Sequence, residues 1–151
     1  MVLVCVGIAA GLFLTDVVIK QHVEDNMKKN KTHEIAGGKI EIRKVHNHGF
    51  AFNLLDHKPY IVKMVSVTTG VLLACYQLWL LCRKGRFFEK LGGAIALGGA
   101  FSNMYDRVVR GYVVDYFGFK SKWKKFRRLT FNIGDVCLVL GAVISVLSHR
   151  D

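Results

Sequence analysis

Residues 98–117, GGAFSNMYDRVVRGYVVDYF, combine an apolar composition with two aspartates, Asp106 and Asp115. A third aspartate, Asp135, lies in FNIGDVCLVLG, residues 131–141, which is also strongly apolar. Ionisable groups in or beside such segments are costly to bury and by default indicate function. The first question that the sequence raises is therefore which of these carboxylates performs chemistry.

The apolar residues of this chain are grouped into long runs. Hydrophobic residues make up 52% of its 151 residues, and roughly 18–20 apolar residues cross a bilayer as a helix. Four runs predict four transmembrane helices, approximately at residues 1–20, 60–81, 87–105 and 131–148. We therefore predict an all-α membrane protein with a single integral membrane domain, residues 1–151. A cleavable signal peptide is an alternative for the first run, but that run is long and lacks a basic amino-terminal region.

The net charge of +11 points to an anionic partner. Basic residues beside membrane spans favour an anionic lipid surface over nucleic acid. The four cysteines form no CxxC motif and are interpreted as small apolar side chains. The sequence contains no P-loop, dinucleotide-binding fingerprint or serine nucleophile elbow.

Two connections between the runs carry secondary-structure signals of their own. KIEIRKV, residues 39–45, alternates apolar and charged side chains and predicts a strand, and the preceding Gly37-Gly38 predicts a hairpin with residues 33–36. Between the third and fourth runs, apolar aromatic residues recur at helical spacing among many lysines and arginines. This pattern, formed by Phe119, Trp123 and Phe126, predicts an amphipathic helix in the membrane interface. A solvated basic loop is the alternative.

Two aspartates have a basic residue close by in sequence. Asp16 precedes Lys20 by four positions, the favourable order for an ion pair on a helix, and this pair predicts structural support. Asp106 adjoins Arg107 and follows Asn103 by three positions, which would place Asn103 and Asp106 on one helix face. We interpret Asp106 and Arg107 as a pair that orients a site.

Asp115 and Asp135 lie among apolar residues, and Asp115 has no basic residue within four positions. If the third and fourth helices are antiparallel neighbours, both carboxylates lie near the same membrane face. Two carboxylates held together share one proton, so that one acts as a base while the other donates, the arrangement that activates water for peptide hydrolysis. The alternative is that each aspartate caps a helix or pairs with a loop cation.

His46 and His48 are a weak metal-site candidate. They stand two positions apart without a third ligand. We interpret them as part of a polar loop at the interface and predict no metal.

Four blocks, in order along the chain, resemble lipoprotein signal peptidase (signal peptidase II), a family of four-span bacterial membrane aspartic peptidases. DVVIK, residues 16–20, is similar to the family's D-Q-x-x-K, and NHGFAFNLL, residues 47–55, is similar to N-x-G-A-A-F-S-x-L. Residues 98–117 resemble G-G-A-x-G-N-x-x-D-R-x-x-x-G-x-V-V-D-F, and FNIGD, residues 131–135, resembles F-N-x-A-D. The departures from these patterns include Val17, Phe50, Ser102 and Gly134, and the chain lacks the W-P that often precedes the last block.

The resemblance implies that Asp115 and Asp135 are the catalytic pair and that no cofactor is used. It implies a structural role for Asp16 and Lys20. Residues that support the site or contact substrate would be Asn47, Asn103, Asp106, Arg107 and Asn132. The family fold adds a small extracytoplasmic β-cradle and a mobile amphipathic helix. Family members cleave before a diacylglyceryl-modified cysteine, so the implied partners are lipidated prolipoproteins, and we expect a monomer.

The family's orientation conflicts with a simple count of basic residues. It places both termini in the cytoplasm and the active site on the outer face of the cytoplasmic membrane, whereas the count would put residues 21–59 and 108–130 inside. We expect the family's orientation, with basic residues outside contacting anionic headgroups, because ordered motifs are more specific than loop charge. The alternative function is a non-catalytic scaffold or accessory protein. An ion carrier would need carboxylates near the bilayer midplane, and their position at the ends of the predicted spans argues against that class.

Overall fold

The computed structural model describes residues 1–29, 31–50, 54–120, 122–123, 127 and 129–148. In these residues, helices form at each of the four predicted apolar runs, and three short strands lie between them. The elements in chain order are α1 (Val2–Asn26), β1 (Thr32–Ile35), β2 (Ile40–Asn47), α2 (Pro59–Leu81), α3 (Phe87–Val109), β3 (Val113–Phe119) and α4 (Ile133–Ser148).

Two of the helices are long and apolar enough to cross a membrane by length and composition. These are α1 and α2, whereas α4 is a shorter apolar helix. Large apolar side chains stay exposed on the outer faces of all three, as is typical of lipid-facing surfaces: Leu3, Val18, Leu72, Leu78, Val139 and Leu147. The helical class is thus confirmed, and the count of four membrane crossings stays a prediction.

Small residues let α3 pack at the centre of the bundle. A Cβ atom on Gly92 would come within 2.7 Å of the carbonyl oxygen of Gly141 in α4, and one on Gly99 would overlap the carbonyl of Gly134. On another face, a Cβ on Gly98 would come within 2.8 Å of a carbonyl of α1. Close approach of backbones through small residues is typical of membrane helices. The order of these contacts makes α3 and α4 antiparallel neighbours, as the dyad hypothesis required.

The three strands form one antiparallel sheet in the order β1-β2-β3. The predicted hairpin is confirmed, and both Gly37 and Gly38 adopt positive φ angles in its turn. In the second pairing, Asp115 lies opposite Val45, and a bulge interrupts the register between Ile42 and Val45. The third strand was not predicted from the sequence, and it carries a candidate catalytic aspartate.

The amphipathic helix predicted from Phe119, Trp123 and Phe126 is wrong at its first residue. Phe119 ends β3, where it pairs with Ile40 of β2. Trp123 lies in a bend and is exposed, and Phe126 lies outside the described residues. The strand is preferred at Phe119 because β2 offers a ladder of backbone hydrogen bonds to this segment.

A compact apolar cluster fixes the sheet to the helices. Val114 and Tyr116 of β3 are buried against Val23 near the end of α1, with Ile133 at the start of α4 packed beside them. Successive side chains of a strand point to opposite faces, so Asp115, between these two residues, points away from the cluster. The packing of β3 therefore determines the direction of its aspartate.

Candidate active site

Asp115 and Asp135 come together because β3 pairs with Phe131, which lies two residues before α4 begins. The backbone of Phe117 and Phe131 exchanges two hydrogen bonds, from Phe117 N to Phe131 O at 3.0 Å and from Phe131 N to Phe117 O at 2.7 Å. Phe131 lies four residues before Asp135, which is in the first turn of α4. Both aspartates line one open groove of about 1190 Å³. The structure thus brings together two residues that are twenty positions apart.

Asn132 links the two carboxylates. Its side-chain amide donates to Asp115 Oδ1 at 2.7 Å, while its Oδ1 accepts from the backbone N–H of Asp135 at 2.9 Å. In return, Asp135 Oδ2 accepts from the backbone N–H of Asn132 at 3.1 Å. This reciprocal arrangement is that of a helix capping box. The same residue therefore starts α4 and fixes Asp115 relative to Asp135.

Asp115 is enclosed, with only 3% of its surface exposed. Its second oxygen accepts from the side-chain amide of Asn47 at 2.9 Å. Burial raises the pKa of Asp115 to about 7, the nearby charge of Asp135 raises it further in the same direction, and the two amide donors oppose both effects. The carboxyl group therefore titrates near neutral pH, where a general acid or base is most effective.

Asp135 is held by a side chain that is itself anchored to a buried cation. Asn103 Nδ2 donates to Asp135 Oδ1 at 2.8 Å, and Asn103 Oδ1 accepts from Lys20 Nζ at 2.8 Å. Since Lys20 can only donate, its contact fixes which end of the amide faces Asp135. Lys20 thus orients Asn103 for its bond to Asp135.

The predicted ion pair between Asp16 and Lys20 is confirmed and is fully buried. Lys20 Nζ lies 2.9 Å from Asp16 Oδ2, and neither residue is exposed. Ser102 completes the pair by donating to Asp16 Oδ2 at 2.6 Å and accepting from Lys20 at 2.9 Å. Ser102 was identified in the sequence only as a departure from the family pattern, and nothing in its setting signalled this role.

The predicted pairing of Asp106 with Arg107 is wrong. Asp106 instead pairs with Arg110, accepts from the backbone N–H of Val114 at 3.0 Å and lies 3.3 Å from Lys20 Nζ. Neighbouring residues of a helix point in different directions, whereas residues four apart share a face. Asp106 therefore ties the end of α3 to β3 and to the buried ion pair.

Arg107 points into the groove. One guanidinium nitrogen donates to the carbonyl of Gly49 at 2.7 Å, and the group lies 5.4 Å from the ring centre of Phe50. In the part of the chain that the structure describes, Arg107 Nε has no hydrogen-bond partner. The guanidinium group therefore lines the groove in which both carboxylates lie.

Apolar side chains form most of the remaining walls of the groove. They come from β3, from the segment before α4 and from α4 itself: Val113, Phe117, Phe119, Leu129, Phe131, Val136, Leu138, Val139 and Leu140. Concave apolar sites with a few polar groups are typical of ligand pockets. The arrangement can hold an apolar ligand with its polar part at the aspartates.

The two histidines are separate from the aspartates' hydrogen bonds. His46 belongs to β2, so its predicted loop position is wrong; its Nε2 lies 2.9 Å from a carboxylate oxygen of Glu24, and its ring stacks on Tyr112 at 4.1 Å. His48 contacts the edge of the same tyrosine. Among the described residues, no set of three His, Cys, Asp or Glu side chains is placed to hold a metal.

Comparison with known proteins gives one consistent relationship. Residues 8–149 match the profile of the family described as Signal peptidase (SPase) II. The lipoprotein signal peptidase of Clostridioides difficile (strain 630) is 35% identical over 128 residues, which cover 85% of this chain and 82% of that protein. The lipoprotein signal peptidase of Fusobacterium nucleatum subsp. nucleatum is 30% identical over 145 residues, or 91% and 83% of the two chains.

The fold agrees with this relationship. A solved structure described as "Bacterial membrane enzyme structure by the in meso method at 2.3 A resolution" matches with a TM-score of 0.83 and 21% identity. The match covers 97% of this chain and 87% of that one. Since the family profile spans nearly the whole sequence, this chain belongs to the signal peptidase II family.

Proposed function

We propose that this protein hydrolyses its substrates by an aspartic mechanism in which Asp115 and Asp135 activate a water molecule. Family membership makes the chain an integral bacterial membrane protease that removes signal peptides from prolipoproteins. The observation that carries the mechanistic proposal is the pair of carboxylates, Asp115 buried and Asp135 half-buried, that Asn132 joins at the edge of an apolar groove.

The proposed chemistry follows from one proton shared by two carboxylates. The ionised carboxylate removes a proton from water, and the hydroxide formed attacks the scissile carbonyl carbon. The protonated carboxyl donates to the carbonyl oxygen, giving a tetrahedral intermediate. Its collapse breaks the C–N bond as the amine nitrogen takes up a proton from the pair. The pKa of about 7 for Asp115 supports this division of roles, because the pair keeps one proton up to neutral pH.

The apolar walls of the groove support a proposal for the position of the bond that is cut. We propose that acyl chains of the substrate lie along the apolar wall of α4 and β3 and that Arg107 and Asn103 contact its backbone. The bond before the diacylglyceryl-modified cysteine would then lie at the aspartates. A lipid anchor on that cysteine supplies the apolar ligand that such a groove favours.

Anionic lipid headgroups are a further proposed partner. A second cavity, of about 360 Å³, lies between the start of α2 and the end of α3. Its described lining includes four basic residues and no acidic one; the basic ones are His48, Lys63, Arg107 and Arg110. Cationic clusters at a membrane surface attract anionic headgroups. We propose that the sheet and this cavity face the outer side of the cytoplasmic membrane, with both termini inside, and that the protein acts as a monomer.

The decisive experiment is cleavage of a lipidated prolipoprotein by purified protein. Asp115→Asn and Asp135→Asn should each abolish turnover while the protein stays folded. Asp56→Asn is the control for the loss of a carboxylate, because that side chain is about half exposed and is not part of the described lining of the groove. Full activity of both Asn variants would refute the dyad and favour a non-catalytic scaffold.

A further inference from the structure

We propose that Tyr116 is a positioning residue that fixes the start of α4, and with it Asp135, to the buried ion pair of Asp16 and Lys20. This inference rests on the proposed catalytic function of Asp135. Tyr116 itself neither lines the groove nor touches Asp115 or Asp135 in any described hydrogen bond.

The hydroxyl group of Tyr116 makes two hydrogen bonds in a buried setting. It donates to Asp16 Oδ1 at 2.9 Å and accepts from the backbone N–H of Ile133 at 3.0 Å, and only 5% of the residue is exposed. Burial raises the pKa of Tyr116 well above its ordinary value, and the charge of Asp16 adds to this effect. The hydroxyl therefore stays protonated at any working pH and acts as a fixed donor and acceptor.

The N–H of Ile133 is the first of α4, and the first N–H groups of a helix have no partner within the helix. Asn132 satisfies the N–H of Asp135 two positions later. Tyr116 and Asn132 thus hold the same helical turn from two directions. A displacement of this turn moves the Asp135 carboxylate directly, because that residue belongs to it.

Asp16, which accepts the hydrogen bond from Tyr116, is itself held in place. Asp16 is fully buried, and its other oxygen is bound by Lys20 and Ser102. From Lys20 a second route leads through Asn103 to the Asp135 side chain. One route therefore fixes the backbone of the first turn of α4, and the other fixes the carboxylate that this turn carries.

Strand geometry extends the link to the other carboxylate. Tyr116 directly follows Asp115 in β3, and successive residues of a strand point to opposite faces. While Asp115 faces the groove, Tyr116 faces α1 and the start of α4. The anchoring of Tyr116 therefore also restrains the strand that presents Asp115.

The test is Tyr116→Phe, which keeps the ring and removes the hydroxyl. Tyr112→Phe is the matched control, since among the described residues its hydroxyl makes a single long hydrogen bond, of 3.4 Å, with Glu24. We expect Tyr116→Phe to lower kcat by about ten- to a hundredfold with KM changed less than about twofold, because a misplaced catalytic group slows chemistry more than binding. The alkaline limb of kcat should also move to lower pH, since a carboxylate free to move away from Asp115 repels its charge less. Tyr112→Phe should match the wild type.

Amide hydrogen exchange at Ile133 provides a readout that does not depend on activity. In the wild type this N–H should be protected, and Tyr116→Phe should remove that protection while amides deeper in α4 keep theirs. Wild-type kcat, pH profile and Ile133 protection in a folded Tyr116→Phe variant would overturn the inference, even when Asp115→Asn is inactive. If the wild type cleaves nothing, the proposed function fails, and exchange at Ile133 alone decides whether the anchoring holds.

Discussion

Replacing Asp115 by Asn should abolish cleavage and, above neutral pH, stabilise the fold. The pKa of Asp115 stands at about 7 in the folded protein, against about 3.9 in an unfolded chain. Folding therefore favours the protonated carboxyl: its contribution to stability is fully present below about pH 3.9 and is lost as the pH rises through about 7. Linkage makes the resulting cost about 1.5 kcal/mol at pH 5 and about 4 kcal/mol at pH 8.

The Asn side chain avoids this ionisation cost but introduces a smaller one. Asn47 and Asn132 both donate to Asp115, so one of them would face an amide nitrogen in the variant, at about 1–3 kcal/mol. At pH 8 the variant should therefore be more stable than the wild type by about 1–3 kcal/mol. Between pH 5 and pH 8 its advantage should grow by about 2.5 kcal/mol, which corresponds to roughly 5–10 °C in Tm.

The assay is thermal unfolding of both proteins in one detergent at pH 5 and pH 8, together with cleavage of a lipidated prolipoprotein. Asp56→Asn is the matched control, since its carboxylate is about half exposed and its effect should be small at both pH values. A difference in Tm between Asp115→Asn and wild type that is the same at both pH values would refute the argument that burial of this carboxylate raises its pKa.

Three further substitutions test other parts of the structure. Lys20→Met should lower the free energy of unfolding by about 3–5 kcal/mol, because it leaves Asp16 without its cation in a buried site; Lys28→Met, at an exposed position, should not. Gly134→Ala should destabilise by about 1–3 kcal/mol and slow cleavage, since a Cβ there would lie 2.8 Å from Asp16 Oδ2 and 2.9 Å from Asn132 Oδ1. The control is Gly7→Ala, where a Cβ would meet no atom of the described residues within 4 Å beyond its own turn of helix, and equal Tm values for the two variants would contradict the packing argument. Lys63→Gln should reduce cleavage roughly fivefold in vesicles that contain anionic phospholipid and leave cleavage unchanged in zwitterionic vesicles. Lys31→Gln is the control and should change cleavage in neither. An equal loss of activity for Lys63→Gln in both kinds of vesicle would exclude a headgroup site.

The helices and the first hairpin could be predicted from sequence because their signals are local. The apolar runs and the alternation in residues 39–45 each determine an element within a few residues of chain. β3 could not be predicted in this way. VVDYFGF, residues 113–119, is almost continuously apolar, and its strand conformation depends on pairing with β2, about seventy residues earlier.

The site residues also divide into those with a local signal in the sequence and those whose contacts depend on the fold. Asp115 and Asp135 were identified by their apolar settings and by resemblance, and their meeting through Phe131 and Asn132 is a product of the fold. The partner of Asp106 was predictable in principle, because Arg110 stands at the favourable spacing of four whereas Arg107 does not. Tyr116 stands where the family pattern quoted above has Phe; that difference marks the position but does not reveal what the hydroxyl contacts.

The buried ion pair is better explained by the geometry it imposes than by the stability it adds. Apolar residues of similar volume often replace such a pair without loss of stability, so stability alone does not account for Lys20 and Asp16 at the centre of this bundle. Lys20 binds Asn103, which binds the carboxylate of Asp135. Asp16 binds Tyr116, which binds the first backbone N–H of α4, the helix that carries Asp135. If water were its only hydrogen-bond partner, the Asp135 carboxylate could adopt several positions. Fixed donors on both of its oxygens restrict it to one position. The ion pair is fixed within the packed helix bundle, and through its hydrogen bonds it therefore fixes the position of the Asp135 carboxylate at the edge of the bundle.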